Sequence, residues 1–298
     1  MPKINLVAFL LLSCLPLLAM SGTSDTMKLT GRLVYSAGGN DINMIELNSL
    51  KQFSLGSFST DSSINHFTRL SDSIFLFENC NGRRKPNCLL KEFVIGAKTP
   101  NTLRSGYSPT YIPENKSLLF YDQDEESGQM WLHIADVRSP STSHKVAKAP
   151  ADMILSNGLP YPIITQPLQI SSDEVIFVGE DKRLWRVQVS SSKLTPTIIK
   201  NCIPQIWRDR SQRLVCYDWE SQEFYQTTLM AGNIEKLPQL KGAYGLVYLP
   251  KDDVIIYGKA RLKMLVSETY DIFAYSFNTN KHVKVRANSH INSGVWLP

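Results

Sequence analysis

The chain has 298 residues, of which 43% are hydrophobic, 10% aromatic and 20% charged, with a formal net charge of +5. This composition excludes disordered, collagen-like, coiled-coil and multi-pass membrane classes, and the length suits one large β domain or two ordinary ones. The charge is mild and no Lys/Arg cluster is longer than Arg83–Lys85, so nucleic acid is not indicated as a partner.

Lys3 precedes an uncharged apolar run, Ile4 to Leu18, and the small-residue site Ala19-Met20-Ser21. This is the arrangement of a secretory signal, so residues 1–21 are read as a signal peptide and 22–298 as the mature domain, periplasmic or secreted. Two other readings stay open. The run could be a retained anchor, although it is short for a membrane span. Alternatively, Leu11-Leu12-Ser13-Cys14 approximates a lipoprotein box, with Cys14 lipidated.

Beyond the signal, the i, i+3, i+4 pattern of amphipathic helices is almost absent, and short apolar runs recur between polar turns. They are Leu33-Val34-Tyr35, Phe75-Leu76-Phe77, Leu119-Phe120-Tyr121, Ile176-Phe177-Val178, Val215-Cys216-Tyr217 and Ile255-Ile256-Tyr257. Their last residues lie 42, 44, 57, 39 and 40 apart. A period in the forties is the signature of a propeller, in which each repeat is one four-stranded blade. Phe67, Tyr111, Leu168, Trp207 and Tyr248 precede the last residues of the second to sixth runs by 10, 10, 10, 10 and 9 residues, marking an inner strand before each of those five. A third strand follows each run, as in Met130-Trp131-Leu132-His133-Ile134.

The first run has no inner strand before it, and the last residues, Ile291 to Pro298, resemble Ala243 to Pro250 but have no second strand after them. One blade is therefore split. The last strand joins blade one, buries Trp296 and closes a six-bladed all-β ring with no free terminal edge.

Four cysteines remain after the signal, an even number in a chain bound for an oxidising compartment. Cys80 and Cys88 face each other at the base of a Gly/Pro/Asn-rich loop and are expected to pair. Cys202 and Cys216 flank another hairpin, but a turn at Arg210-Ser211 sets Cys216 opposite Gln205, three positions from Cys202. Their bond is expected in spite of that register. Without a Cys-x-x-Cys pair or a nearby His, zinc is not expected.

Within blade three, Ser108-Pro109, the Pro113-Glu114-Asn115-Lys116 turn, Leu118-Leu119-Phe120 and Gly128-Gln129-Met130-Trp131 resemble the repeat of TolB-like, WD40-like six-bladed propellers. No blade has the Asp-Gly turn of that repeat. The resemblance implies the propeller fold and a periplasmic type of location.

Propellers bind and react chiefly at the mouth of the central channel, on loops leading into each inner strand. Those entries bring Asn65 and His66, Tyr107, Gln166, Asn201 and Gln205, Tyr244, and His290 with Asn292. None carries Asp or Glu, so no catalytic metal and no cofactor is expected. Asp122 to Gly128 looks like a calcium loop but lacks the required glycine and final Glu, so it reads as a hairpin turn. No Gly-x-Ser-x-Gly, His-Glu-x-x-His or phosphate-binding Gly loop occurs. An apolar, Pro-rich insertion from Ser143 to Gln166 offers Met153, Ile154, Leu155 and Tyr161 as partner-binding anchors, and a second insertion spans Lys259 to Glu268. The reading is a monomeric, exported, non-catalytic module that binds a protein or peptide. The alternative is a hydrolase or lyase acting on a carbohydrate, lactone or peptide in the channel.

Overall fold

The structure, a computed structural model, describes residues 27–37, 40–58, 62–81, 87–150, 165–218, 220–230, 233–261 and 269–298. The expected signal with Cys14, the tip Arg83–Lys85 and the group Met153, Ile154, Leu155 and Tyr161 lie outside the described residues.

Among the described residues, twenty-four strands form six four-stranded antiparallel sheets. Blade one holds β1 (Arg32–Ser36), β2 (Asp41–Glu46) and β3 (Lys51–Ser57). Blade two holds β4 (Ser62–Arg69), β5 (Ile74–Asn81), β6 (Asn87–Val94) and β7 (Asn101–Ser105). Blade three holds β8 (Tyr107–Ile112), β9 (Ser117–Gln123), β10 (Met130–Asp136) and β11 (Ser143–Lys148). Blade four holds β12 (Leu168–Gln169), β13 (Glu174–Val178), β14 (Arg183–Gln188) and β15 (Lys193–Lys200). Blade five holds β16 (Cys202–Arg208), β17 (Arg213–Asp218), β18 (Glu223–Thr227) and β19 (Glu235–Lys236). Blade six holds β20 (Ala243–Leu249), β21 (Val254–Arg261), β22 (Thr269–Ser276) and β23 (Lys281–Arg286). The last strand, β24 (Ser293–Leu297), pairs with β1 from Arg32↔Leu297 to Ser36↔Ser293 and supplies the inner strand of blade one. The ring is a six-bladed propeller closed by main-chain pairing, as the repeat predicts.

The second strands explain the strength of the repeat. Successive side chains point to opposite faces of a sheet, and here each face packs on a different neighbouring blade. Leu33 and Tyr35 enter a cluster with Val247, Leu249 and Ile256 of blade six, while Val34 enters one with Phe75 and Phe77 of blade two. In blade three, Leu119 and Tyr121 face blade four while Leu118 and Phe120 face blade two. Strands buried on both faces read as unbroken apolar runs. Six such clusters are described, one at each interface between adjacent blades.

Blades five and six are also tied by a buried ion pair. Arg208 donates to Asp253 through Nε at 2.9 Å and Nη2 at 2.6 Å, and its guanidinium lies 3.6 Å from the Phe277 ring centre. Burial opposes the ionised form of Asp253, but hydrogen bonds from Arg208 and Tyr248 outweigh it and hold the carboxyl below its ordinary range.

Three expectations need correction. Trp296 is only partly buried, its Nε1 donating to Thr30 O at 2.9 Å, and the closing segment buries Ile291 and Leu297 instead, both at 0% exposure. Residues 143–148, read as the start of an insertion, form the regular outer strand β11. The register of Cys202 and Cys216 is not three positions out. β16 carries a bulge between Pro204 and Ile206, so Ile206 faces Val215 while Pro204, not Gln205, faces Cys216. One extra residue changes an odd offset into an even one, which puts Cys202 and Cys216 on the same face. Their Cα atoms are 5.2 Å apart and the disulfide forms, as does Cys80–Cys88 between directly paired residues.

Deleting Ile203 leaves Pro204 opposite Cys216 but brings Cys202 opposite Tyr217, one position away, and so turns Cys202 to the other face of the blade. Thiol titration of the oxidised variant under denaturing, non-reducing conditions is expected to find two free thiols where the wild type has none, with Cys80–Cys88 intact. An intact Cys202–Cys216 bond in that variant would refute the register argument.

Candidate functional site

The six inner strands surround a central cavity of about 920 Å³. Asn65, His66, Gln166, Gln205 and Asn292 line it near the strand starts, and Arg69, Glu114 and Asp209 near the strand ends. A bulge in the inner strand shapes the first mouth in four blades, between Asn65 and Thr68, Tyr107 and Thr110, Pro204 and Ile206, and Tyr244 and Val247. Blade six takes its bulge in the left-handed region with Gly245 (φ 59), where an added Cβ would meet the Ile291 carbonyl. Blades two and three place His66 (φ 46) and Ser108 (φ 50) in the same region. A side chain there costs on the order of 1 kcal/mol, so other contacts must hold it.

Glu78, on β5, provides those contacts. Its carboxylate is 6% exposed, accepts from Ser108 N at 2.7 Å and lies 3.1 Å from His66 Nδ1. The bulge frees the Ser108 amide from the ladder, and the buried carboxylate satisfies it. Ser108 Oγ lies 3.1 Å from the same Nδ1. Ser, His and Glu together suggest acyl transfer, but the geometry opposes it. A nucleophilic triad needs the hydroxyl and the carboxylate on opposite ring nitrogens. Here both share Nδ1, and Ser108 is wholly buried.

Gln166 is anchored from the entry to blade four. Its Nε2 donates to Phe67 O at 3.0 Å and Pro109 O at 2.6 Å, tying blades two, three and four at the mouth. Asn292 Nδ2 donates to Asn65 Oδ1 at 2.9 Å, linking blades one and two. His66, Gln166 and Asn292 thus lie together at one end of the channel.

The other three residues lie in blade seams. Tyr107 packs on the core between blades three and four, where burial, and then the charges of Glu78 and Asp122, raise its pKa. Tyr244 and His290 form an aromatic group with Tyr270, with ring centres 4.4 Å (Tyr270–His290) and 5.0 Å (Tyr244–His290) apart. His290 donates through Nδ1 to Ala37 O at 2.7 Å, fixing the seam between blades six and one.

Glu78 lies on a second strand, buried behind His66 and not at an inner-strand entry, so the strand-entry pattern does not single it out. Its signal was available: it is the one carboxylate inside the buried run Phe75 to Cys80. Among the described residues, the group of three close metal-ligand types is Glu78, Cys80 and Cys88. Two of these are joined in a disulfide, so the group offers no thiolate to an ion.

No protein-family model and no curated protein matches this sequence. Solved structures match it by fold. It is similar to TolB from Acinetobacter baumannii, with a TM-score of 0.66 and 12% identity over 90% of this chain and 67% of that one. A protein of unknown function from Bacteroides caccae gives a TM-score of 0.61 at 9% identity, over 90% of this chain and 99% of that one. Another from Bacteroides thetaiotaomicron gives 0.54 at 11% identity, over 91% and 78%. At these identities the likeness establishes the TolB-like propeller fold and nothing finer.

The inert arrangement at Ser108 predicts that a fluorophosphonate serine-hydrolase probe leaves the native protein unlabelled. Stoichiometric labelling of Ser108, abolished by His66→Ala, would contradict this reading of the mouth.

Proposed function

We propose that this propeller is an exported, monomeric, non-catalytic module that captures a segment of a protein or peptide partner at the His66, Gln166 and Asn292 mouth of its channel. The observation that carries this reading is that the mouth is preorganised yet inert. Gln166 and the Asn65–Asn292 pair are locked by hydrogen bonds across blades, and the Ser108, His66 and Glu78 group lacks relay geometry. A rigid mouth loses little entropy when it binds. The two disulfides are compatible with an oxidising compartment. The hydrolase or lyase alternative has one observation in its favour: buried Glu78 backs His66, as a carboxylate backs a general base.

Photo-cross-linking in the native compartment separates the two. A benzophenone residue in place of Asn292 is expected to give a discrete partner adduct, and one in place of Lys281 on the outer strand β23 is expected to give none. Replacing residues 152–161 with a Gly/Ser linker is expected to weaken capture by about tenfold or more, because desolvated aliphatic and aromatic anchors carry most interface energy. Equal adducts from both positions, together with a turnover on ester, lactone, glycoside or peptide substrates that His66→Ala removes, would favour the enzyme.

A further inference from the structure

We infer that the guest held at this mouth presents an N–H-rich cation, the guanidinium or ammonium group of a polypeptide, to His66 and Gln166. The inference rests on the binding reading above and names the chemistry of its guest.

The hydrogen inventory of the mouth leads to this class. The two groups that Gln166 Nε2 touches, Phe67 O and Pro109 O, are carbonyls and can only accept. The amide orientation is therefore fixed, both its hydrogens are used, and only the acceptor Oε1 is left for a guest. His66 Nδ1 lies 3.1 Å from a Glu78 carboxylate oxygen, which also only accepts, so Nδ1 carries the proton. In the neutral ring Nε2 is then an acceptor, and among the described residues no donor reaches it. Asn292 spends one N–H on Asn65 and keeps the other together with its Oδ1, so the rim gains a third acceptor beside a single amide donor. Gln166 touches the carbonyls of Phe67 and Pro109, each next in sequence to His66 or Ser108, while Asn292 touches Asn65 on the other side of His66. The acceptors are contiguous.

Charge points the same way. The chain is +5 overall, yet among the described residues lining the channel the one Lys or Arg is Arg69, held by Asp72 at 2.7 Å. Glu114 and Asp209 line the same channel, and Glu78 lies behind His66. A walled channel with an excess of one sign concentrates ions of the other. A sugar or neutral amide would bring acceptors as well as donors to an acceptor-rich mouth. Ammonium and guanidinium groups bring donors alone.

The test is calorimetric titration of the exported protein with three capped glycine pentapeptides whose central residue is arginine, norleucine or glutamate. The arginine probe is expected to bind at least about tenfold tighter than the norleucine probe, with no heat from the glutamate probe. Asn292 is exposed, so its variants test the idea without disturbing the core. Asn292→Asp should tighten the arginine probe about threefold or more, and Asn292→Lys should weaken it about tenfold or more. Gln166→Leu should weaken the arginine probe and leave the norleucine probe unchanged. Norleucine or glutamate binding as tight as arginine, or arginine affinity unchanged in Asn292→Lys, would overturn the cation assignment and leave channel capture to the cross-linking result. Absence of binding by all three probes would overturn it as well.

Discussion

Each blade has two apolar faces and cannot bury either alone, and this constraint governs the rest of the molecule. The hydrophobic clusters lie between blades rather than within them, so every blade depends on both neighbours. An open array would leave two faces exposed to water. β24 prevents that by pairing with β1, while Ile291 seals the blade six side and Leu297 the blade two side. Fully burying such side chains is worth roughly 2 kcal/mol each relative to exposure. Much of the closure therefore resides in residues 291–297.

Closure also creates the site. With cores between blades, the ring's centre stays open, and six inner strands turn their starts toward one mouth. Four of those strands bulge. A bulge re-aims a side chain and releases a backbone amide. In blades two and three the released amide and the strained His66 and Ser108 converge on Glu78. The buried carboxylate thus has a structural cause and an electrostatic consequence, since it fixes the His66 tautomer and adds negative charge behind the mouth.

The sequence shows most where burial is two-sided. Phe75-Leu76-Phe77 and Leu118-Leu119-Phe120-Tyr121 stand out because both faces of their strands are covered. The outer strands, such as β3, β7 and β15, are largely exposed, carry no clean alternation, and were not legible beyond the four-stranded rule. Register was the other gap. Nothing local to Pro204-Gln205-Ile206 announces a bulge, and only the three-position offset of Cys202 and Cys216 in a regular hairpin hints at one. His66, Gln166 and Asn292 were legible as strand entries, whereas Glu78 required knowing which second-strand residue faces the mouth.

The central claim is that a ring closed by β24 holds every other element in place. Equilibrium urea unfolding of a chain ending at His290, followed by Trp fluorescence and sedimentation, tests it most directly. Removing Ile291 and Leu297 from two interfaces takes away several kcal/mol, a large share of ordinary domain stability. The account predicts loss of the cooperative transition, with aggregation through the exposed edge of β1. A monomeric truncated chain with the wild-type midpoint and slope would contradict it.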